Sequence, residues 1–533
     1  MIAAILALAA VLRFYDLHRL PPGLWFDEGL NGLNALSILH DQPVRLYFDN
    51  REFFGGQTKF GQEPMYHYLL ALAIAIMGPT ALAIRATSAV IGVATVGVFY
   101  GMVRTIWGRG TALLATVLLA LFRWHVHFSR IGFRTILAPL FACLFFWLWW
   151  HGVEKGKRLS LILAGVCLGL GLYTYPAFQL IVPVWICLVL LRVWREKDRR
   201  RDLGRALLWP TIAALIVLLP LVGYFATHPE VAAGRVGSLT VFEHAKEAQA
   251  KGVQTESGWQ MLAENACDNV RHFWWRGDHV AKHNVPLMAV FDPLTSAIFA
   301  VGIIVTLVGV WRDPRNALLL LWAAWLACAS IFSFGAPNLL RTVGMVPAIV
   351  LLLANGYLWI ARRIESALSR QTAALVLVVL VGWFGANEAR RYFLTWRQHP
   401  LVPQEFNAPY RELAEAVIAL GEGVDVHIPG DYYHHFTLRY LLYGRNNIHE
   451  MQMPDSLARQ PDTTRDRVLV FTGWTFPPFG LAGAPPARFF PRGRLVWAMR
   501  DGPFAAFEVP VDNLMTAEQG AEATRGLKIN PHR

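Results

Sequence analysis

The residues best equipped for chemistry stand early in the chain. Asp27 and Glu28 are adjacent carboxylates that directly follow Leu24-Trp25-Phe26. Burial against aromatic side chains raises a carboxylate's pKa and moves it towards the range useful for a general base. The same place also suits a structural task, because Asp27 as N-cap of a helix from Glu28 to Leu39 would satisfy an orphan backbone N–H. The two roles can coexist. Cations form the complementary set: Arg130, Arg134, Arg341 and Lys59 all lie between apolar runs. Arginine suits bidentate contact with phosphate, although an arginine at a helix end also snorkels to a membrane interface with no ligand at all. Glu63 and His67 are spaced i,i+4, so one helix face would hold both, adequate for two ligands of a divalent metal.

Such side chains need a scaffold, and composition says which kind. Of 533 residues, 55% are hydrophobic and 16% charged, against about 25% charged in a typical soluble domain. Mean hydropathy is +0.37. A disordered chain, a coiled coil, a disulfide scaffold and an ordinary soluble enzyme are excluded, leaving a polytopic membrane protein. The formal charge of +12, from 49 Lys+Arg against 37 Asp+Glu, sits largely in short loops between apolar runs. Positive-inside bias accounts for that without nucleic acid as a partner. Cys143, Cys167, Cys187 and Cys328 fall within apolar runs and only Cys267 does not, so no disulfide or zinc framework is expected.

The apolar runs predict eleven spans: residues 1–20, 83–103, 111–128, 135–151, 159–175, 178–194, 206–226, 294–311, 317–334, 342–361 and 372–387. The first is short. Met1 to Leu12 gives about 18 Å of helix against a hydrocarbon core of roughly 30 Å, and a start upstream of Met1 would supply the missing length. It has neither a basic n-region nor a small-residue cleavage site, so a removed signal peptide is not expected. Arg13 and Asp16 near its far end are placed to pair with each other. Loops rich in Lys and Arg, such as 192–205, alternate with the sparsely charged 129–134, 176–177 and 335–341. The basic set is cytoplasmic by the positive-inside rule. Met65 to Met77 is too short to cross, since a span needs about 20 residues. Read as a helix lying in or dipping into the outer interface, it keeps the alternation intact.

That topology puts a first loop, 21–82, a second, 227–292, and the tail outside. Residues 1–387 form the membrane domain, and 388–533, richer in charge and proline, form a soluble α/β domain. In the tail a helix is expected over Glu412–Leu420, strands at Val424–Ile428 and Val468–Thr472, and a hairpin over Leu495–Val509 turning at Asp501-Gly502. His125 and His127 read as interfacial anchors beside Trp124, and Tyr173 and Tyr175 as belt residues. The cluster Tyr432, Tyr433, His434 and His435 is a candidate ligand contact or a piece of core or surface. Arg271, Trp274, Trp275 and Arg276 are placed to cap a site. No internal repeat and no inverted symmetry of the kind found in secondary transporters is visible.

Taken in order, several segments resemble glycosyltransferase family 39, the protein O-mannosyltransferases and their bacterial relatives. Asp27-Glu28 resembles the family's Asp-Glu motif, and Gly61-Gln62-Glu63-Pro64-Met65-Tyr66 its His/Lys-Pro-Pro-Leu segment. Ala83-Ile84-Arg85-Ala86-Thr87-Ser88-Ala89 is similar to its Arg-Leu-Pro-Ser-Ala stretch. Phe128-Ser129-Arg130-Ile131-Gly132-Phe133-Arg134 is similar to its Ser-Arg stretch, and Pro337-Asn338-Leu339-Leu340-Arg341 to a later Pro/Arg element. The match spans about residues 10–360. It departs at Glu63, where the family often has histidine or lysine.

The resemblance implies a GT-C fold, mainly α, with about eleven membrane helices and the C-terminal soluble α/β domain. It implies a multi-pass plasma-membrane (inner-membrane) enzyme whose active site and tail are extracytoplasmic. Such an enzyme moves a sugar from a polyprenyl-phosphate carrier to an acceptor hydroxyl of protein, lipid or polysaccharide, with inversion. Asp27 is implied as the general base and Glu28 as the adjacent structural or acceptor-orienting carboxylate. Arg134, Arg341, Arg130 and Lys59 are implied as donor-phosphate contacts. The resemblance fixes no cofactor, but some members hold a divalent metal, for which Glu63 and His67 are the candidates. Two rivals make different demands on the sequence. A flippase for lipid-linked sugars needs polar residues through its spans, and these spans are nearly free of them. A glycan polymerase or ligase using lipid-diphosphate donors needs a larger late outer loop and no Asp-Glu pair after the first helix.

Overall fold

The computed structural model describes the chain except for residues 42–43, 55–60, 232–239, 252, 254–255, 453–454, 457, 460–463, 473–491, 500–503, 517 and 520–533. The described residues form two compact units. One comprises Met1–Leu17, Ser37–Ile76 and Ile84–His399, the other His18–Leu36, Met77–Ala83 and Pro400–Arg533.

The first unit is helical. Among the described residues seven helices are long and apolar enough to cross a membrane: Ala81–Trp107, Arg134–Lys155, Pro176–Arg195, Lys197–Thr227, Pro314–Ile331, Val343–Ala367 and Arg370–Trp396. The other four expected spans are shorter apolar helices, Ile2–Phe14, Arg109–Leu121, Arg158–Gly171 and Pro293–Gly309, and Met65–Met77 is a fifth short one. The architecture is that of a multi-pass membrane protein. Packing is closest where side chains vanish. Gly302 and Gly356 face each other across two helices, and a methyl group on Gly356 would lie 2.1 Å from the Ile298 carbonyl oxygen. Small residues allow such approaches where no hydrophobic drive separates helix from lipid.

Backbone groups inside a bilayer need internal partners, and arginines supply them where the first helix, Ile2–Phe14, ends. Arg130 is fully buried and donates to the carbonyls of Leu12 and Arg13 at 3.0 Å and of Tyr15 at 2.7 Å. It also donates to the Tyr392 hydroxyl at 3.1 Å. A cation on the last carbonyls of a helix is favoured by both hydrogen bonding and the helix dipole. Arg13, also fully buried, donates to the Ala120 carbonyl at 3.2 Å, to His125 Nδ1 at 2.8 Å and to Ser129 Oγ at 3.3 Å. The expected pairing of Arg13 with Asp16 is not formed. Asp16 adopts a positive φ of 51°, leaves the helical path, and meets Arg397 at 3.3 Å. His125 is therefore a buried partner of Arg13 rather than an interfacial anchor, and His127 is buried with its Nε2 2.7 Å from the Lys282 carbonyl.

In the second unit a five-stranded sheet has the order β2-β1-β3-β5-β4. The strands are β1 (Asp425–Pro429), β2 (Ile448–Met451), β3 (Arg467–Thr472), β4 (Arg494–Ala498) and β5 (Phe504–Val509). β2, β1 and β3 are parallel, while β5 joins β3 and β4 antiparallel. The expected strands and hairpin are present. The hairpin's turn at Asp501-Gly502 lies outside the described residues. The helix expected over Glu412–Leu420 runs Ala408–Ala419. It lays Leu413, Ala414 and Val417 onto Val426, Ile428, Val468, Val470 and Phe504, an apolar stripe at helical spacing against the sheet.

Two histidines are enclosed in this unit without compensating acids. Burial pushes His435 down to about 4. Burial, then the charge of Arg467 and the neighbouring His449, push His427 down to about 3. Both folded values lie below the unfolded value of about 6.5. Their stabilising contribution is full above about pH 6.5 and is lost progressively as pH falls towards 4, where the unfolded chain takes up protons that the fold refuses. Hydrogen exchange of the β1 and β3 amides in the full chain should accelerate between pH 6.5 and 4.5 beyond the intrinsic pH effect. His435→Phe should remove part of that acceleration, and an unchanged profile would contradict the assignment.

Candidate functional site

The motif carboxylates open a helix. It runs Phe26–His40 and begins one residue before Asp27, so Asp27 lies in the first turn and is not the cap. Glu28 does the capping. Its buried Oε2 accepts the Trp25 backbone N–H at 2.8 Å, the reciprocal half of a capping box in which the third helical residue reaches back. Glu28 is fully enclosed while Asp27 is half-buried. Two adjacent acids thus hold different stations, and acids at a helix N-terminus favour its dipole.

The segment carrying them is fastened within the second unit. The Leu24 carbonyl accepts from Thr437 Oγ1 at 2.8 Å and from Asn407 Nδ2 at 3.4 Å. The His18 carbonyl accepts from Arg411 at 2.6 Å. Phe26 packs on Phe436 and His435, with ring centroids 4.5 and 5.4 Å apart. Gly29 allows the closest approach: a methyl group there would sit 2.7 Å from the Phe436 carbonyl and the Thr437 nitrogen. The Tyr432–His435 cluster thereby acquires a place. His435 stacks on Tyr410 at 4.0 Å beneath the motif segment. Thr437 carries no sequence signal for this task, because the contact joins residues far apart in the chain.

The other candidates belong to the first unit. Arg134 and Glu63 form a buried ion pair, Nε to Oε2 at 3.3 Å, and the Arg134 guanidinium lies over the Phe133 and Tyr175 rings at 5.5 and 5.7 Å. Tyr175 is part of this cluster. His67 stands beside it, fully buried, with Nδ1 donating to the Glu63 carbonyl at 3.1 Å and Nε2 paired with the Gln62 side-chain amide at 2.9 Å. The carboxylate of Glu63 faces Arg134 rather than the imidazole. Both ring nitrogens of His67 are engaged, so the two side chains do not form a ligand pair in this arrangement. Among the described residues no group of three or more His, Cys, Asp or Glu side chains is arranged to hold a metal ion.

Arg341 is half-buried and donates to the Phe334 carbonyl at 3.0 Å. Its loop is tied to the segment of Arg134: Thr135 Oγ1 donates to the Leu340 carbonyl at 3.1 Å and Trp124 Nε1 to the Leu339 carbonyl at 3.0 Å. Arg130 is turned to the helix end described above. Lys59 lies outside the described residues. Of the stretch 227–292, residues 278–291 are bound to the same region. Asp278 accepts from His283 at 2.9 Å and from the Leu339 N–H at 2.9 Å. Burial works against its charge, but His283 and the N–H donors outweigh burial and hold its carboxyl below the ordinary range. The indole of Trp396 meets the Ala281 carbonyl at 2.7 Å. Trp275 is exposed.

With the geometry in view, the chain can be placed among known proteins. Residues 61–224 match the family model described as dolichyl-phosphate-mannose-protein mannosyltransferase. That stretch holds Glu63, His67, Arg130, Arg134 and Tyr175. The chain is similar to glycosyltransferase family 39 and shares the GT-C fold. ArnT from Cupriavidus metallidurans, solved bound to undecaprenyl phosphate, is 14% identical with a TM-score of 0.55, over 95% of this chain and 97% of that one. The oligosaccharyltransferase of Archaeoglobus fulgidus, solved tethered to an acceptor peptide, is 13% identical with a TM-score of 0.53, over 95% and 73%. The archaeal oligosaccharyltransferase AglB from the same organism, in complex with an inhibitory peptide and a dolichol-phosphate, is 12% identical with a TM-score of 0.50, over 95% and 74%. No curated protein sequence matches.

The clamp on the motif segment is directly testable. Thr437→Val removes a donor from a buried carbonyl, a loss of about 1–3 kcal/mol. Hydrogen exchange of residues 18–30 should accelerate at least fivefold while the β1 amides stay protected. Gly29→Ala, which forces the Phe436 backbone to move, should accelerate it further. Unchanged exchange in both variants would mean that the segment is held by something else.

Proposed function

We propose that the protein is a membrane glycosyltransferase. It moves a sugar from a polyprenyl-phosphate carrier to an acceptor hydroxyl on the extracytoplasmic face of the plasma membrane. The observation that carries this reading is the near end-to-end likeness to ArnT, a protein solved with undecaprenyl phosphate, together with the mannosyltransferase family match over residues 61–224. The dolichol-phosphate bound to AglB supports the same donor class.

The chemistry asks little of the protein beyond position and charge. Asp27 takes the proton of the acceptor hydroxyl as its oxygen bonds to the anomeric carbon. The bond from that carbon to the phosphate oxygen breaks on the opposite face, and polyprenyl phosphate leaves with the electron pair. Displacement at an anomeric carbon passes through an oxocarbenium-like state, and a single carboxylate opposite the leaving group gives inversion. A phosphate needs no proton to leave; it needs cations where its charge grows. Arg134 and Arg341 are assigned to it, with Lys59 as a further contact. Arg134 is held in register by Glu63, so an arriving phosphate competes with a carboxylate already in place. Arg130 supports this indirectly by closing the end of the first helix. Glu28 fixes the turn from which Asp27 projects.

The test is release of polyprenyl phosphate by purified protein offered a panel of polyprenyl-phosphate sugars with cell-envelope extract as acceptor. Wild type should release it. Asp27→Asn, which keeps size and folding, should lose at least a thousandfold in rate. Arg134→Gln should lose at least tenfold, with the larger part in the transfer step. Equal release by wild type and Asp27→Asn would overturn the base assignment, and no release from any donor would overturn the transferase reading.

A further inference from the structure

The crossover from β1 to β2 in the second unit encloses a feature that plays no part in the proposed transfer. After β1 the chain makes two short helices, Gly430–Tyr433 and Phe436–Leu441, then turns through Gly444, at a φ of 81°, into β2. These pieces surround a cavity of about 270 Å³ whose polar lining is Tyr433, His434, Arg439 and Arg445, on a floor that includes Ile428 and Leu438. The lining holds no carboxylate. Glu450, outside the lining, meets His434 at 3.2 Å. Arg445 is half-buried, its Nη1 is enclosed, and that atom has no hydrogen-bond partner among the described residues. A guanidinium nitrogen withdrawn from water without an acceptor is costly, so its position calls for an anion that is absent from the protein alone.

We propose that this cavity is a binding site for a phosphomonoester. Two guanidinium forks, an imidazole and a phenol line it from the two short helices, the link between them and the turn that follows, which suits a group with several equivalent acceptor oxygens. A water's share of liquid volume is about 30 Å³, so 270 Å³ holds a phosphate and part of the group that carries it. That group is either a sugar or the glycerol of a lipid headgroup, and the shared chemistry is the dianionic phosphate. The helix Phe436–Leu441 that lines the cavity through Leu438 and Arg439 also carries Thr437, the donor to Leu24. The site is nonetheless separate from the residues assigned to transfer, and it stands or falls independently of that assignment.

The experiment is calorimetric titration of full-length protein in detergent with glucose 6-phosphate, glucose and a short-chain phosphatidate. Wild type, Arg445→Gln, Arg445→Lys, Arg439→Gln and Arg134→Gln are compared. Wild type and Arg134→Gln should bind at least one phosphomonoester equally, and glucose should not bind. Arg445→Gln and Arg439→Gln should each weaken binding at least tenfold, and Arg445→Lys should recover part of it. Tighter binding of the sugar phosphate assigns the source to a glycan, and tighter binding of phosphatidate to a lipid headgroup. No phosphomonoester binding to wild type, or equal affinity in Arg445→Gln, would overturn the proposal. Loss in Arg134→Gln alone would do the same, by moving the probe to the membrane site.

Discussion

A carboxylate proposed as a general base, as Asp27 is, has to be held to within about 0.5 Å, and here the holding starts from one backbone oxygen. The Leu24 carbonyl, three residues before Asp27, accepts from Thr437 and Asn407. The Trp25 N–H that follows is taken by Glu28, and Gly29 lets the helix close onto the backbone at Phe436. Each contact alone is modest. Together they leave the turn before Asp27 few alternatives, and so fix the direction in which the helix carrying it begins. The Asp-Glu pair is therefore a division of labour: the buried acid builds the turn and the half-buried one is left at its edge.

The same economy governs the cations. An arginine in a low-dielectric setting is tolerated only with acceptors around it, and the described acceptors are mostly main-chain carbonyls. Arg13 and Arg130 join the end of the first helix to residues 120–130, and Arg123 takes the Val290 carbonyl at 3.1 Å. Arg134 has a carboxylate, Glu63, as its partner, as Arg123 has Glu388 and Arg192 has Glu154 and Glu196. A paired charge of that kind is the one a substrate anion can compete for. Arg130, by contrast, has its donors distributed over a helix terminus that would be left open without them.

Much of the architecture was legible because it is local. Lipid demands long apolar runs, and every expected span corresponds to a helix. Met65–Met77 is a helix of 13 residues, as short as its apolar run. The strands and hairpin of the tail follow from two-residue alternation. The site was legible in its residue types and less so in its pairings. The helix containing Asp27 starts at Phe26, two residues earlier than expected, and Glu28 rather than Asp27 supplies the cap. Asp16 pairs with Arg397, far along the chain, because its own backbone leaves the helix. No periodicity could announce that residues 18–36 and 77–83 pack with residues beyond 400, since such contacts depend on the folded shape alone. Glu63, where the family often has a cation, became intelligible only with Arg134 beside it.

A single base and a phosphate leaving group commit the proposed reaction to one stereochemical course. The most direct measurement is the anomeric configuration of the transferred sugar, read by NMR from the one-bond C1–H1 coupling in donor and product. Inversion at the anomeric carbon is the predicted result. Retention would require a covalent glycosyl-enzyme and a second displacement, and would contradict the role given to Asp27.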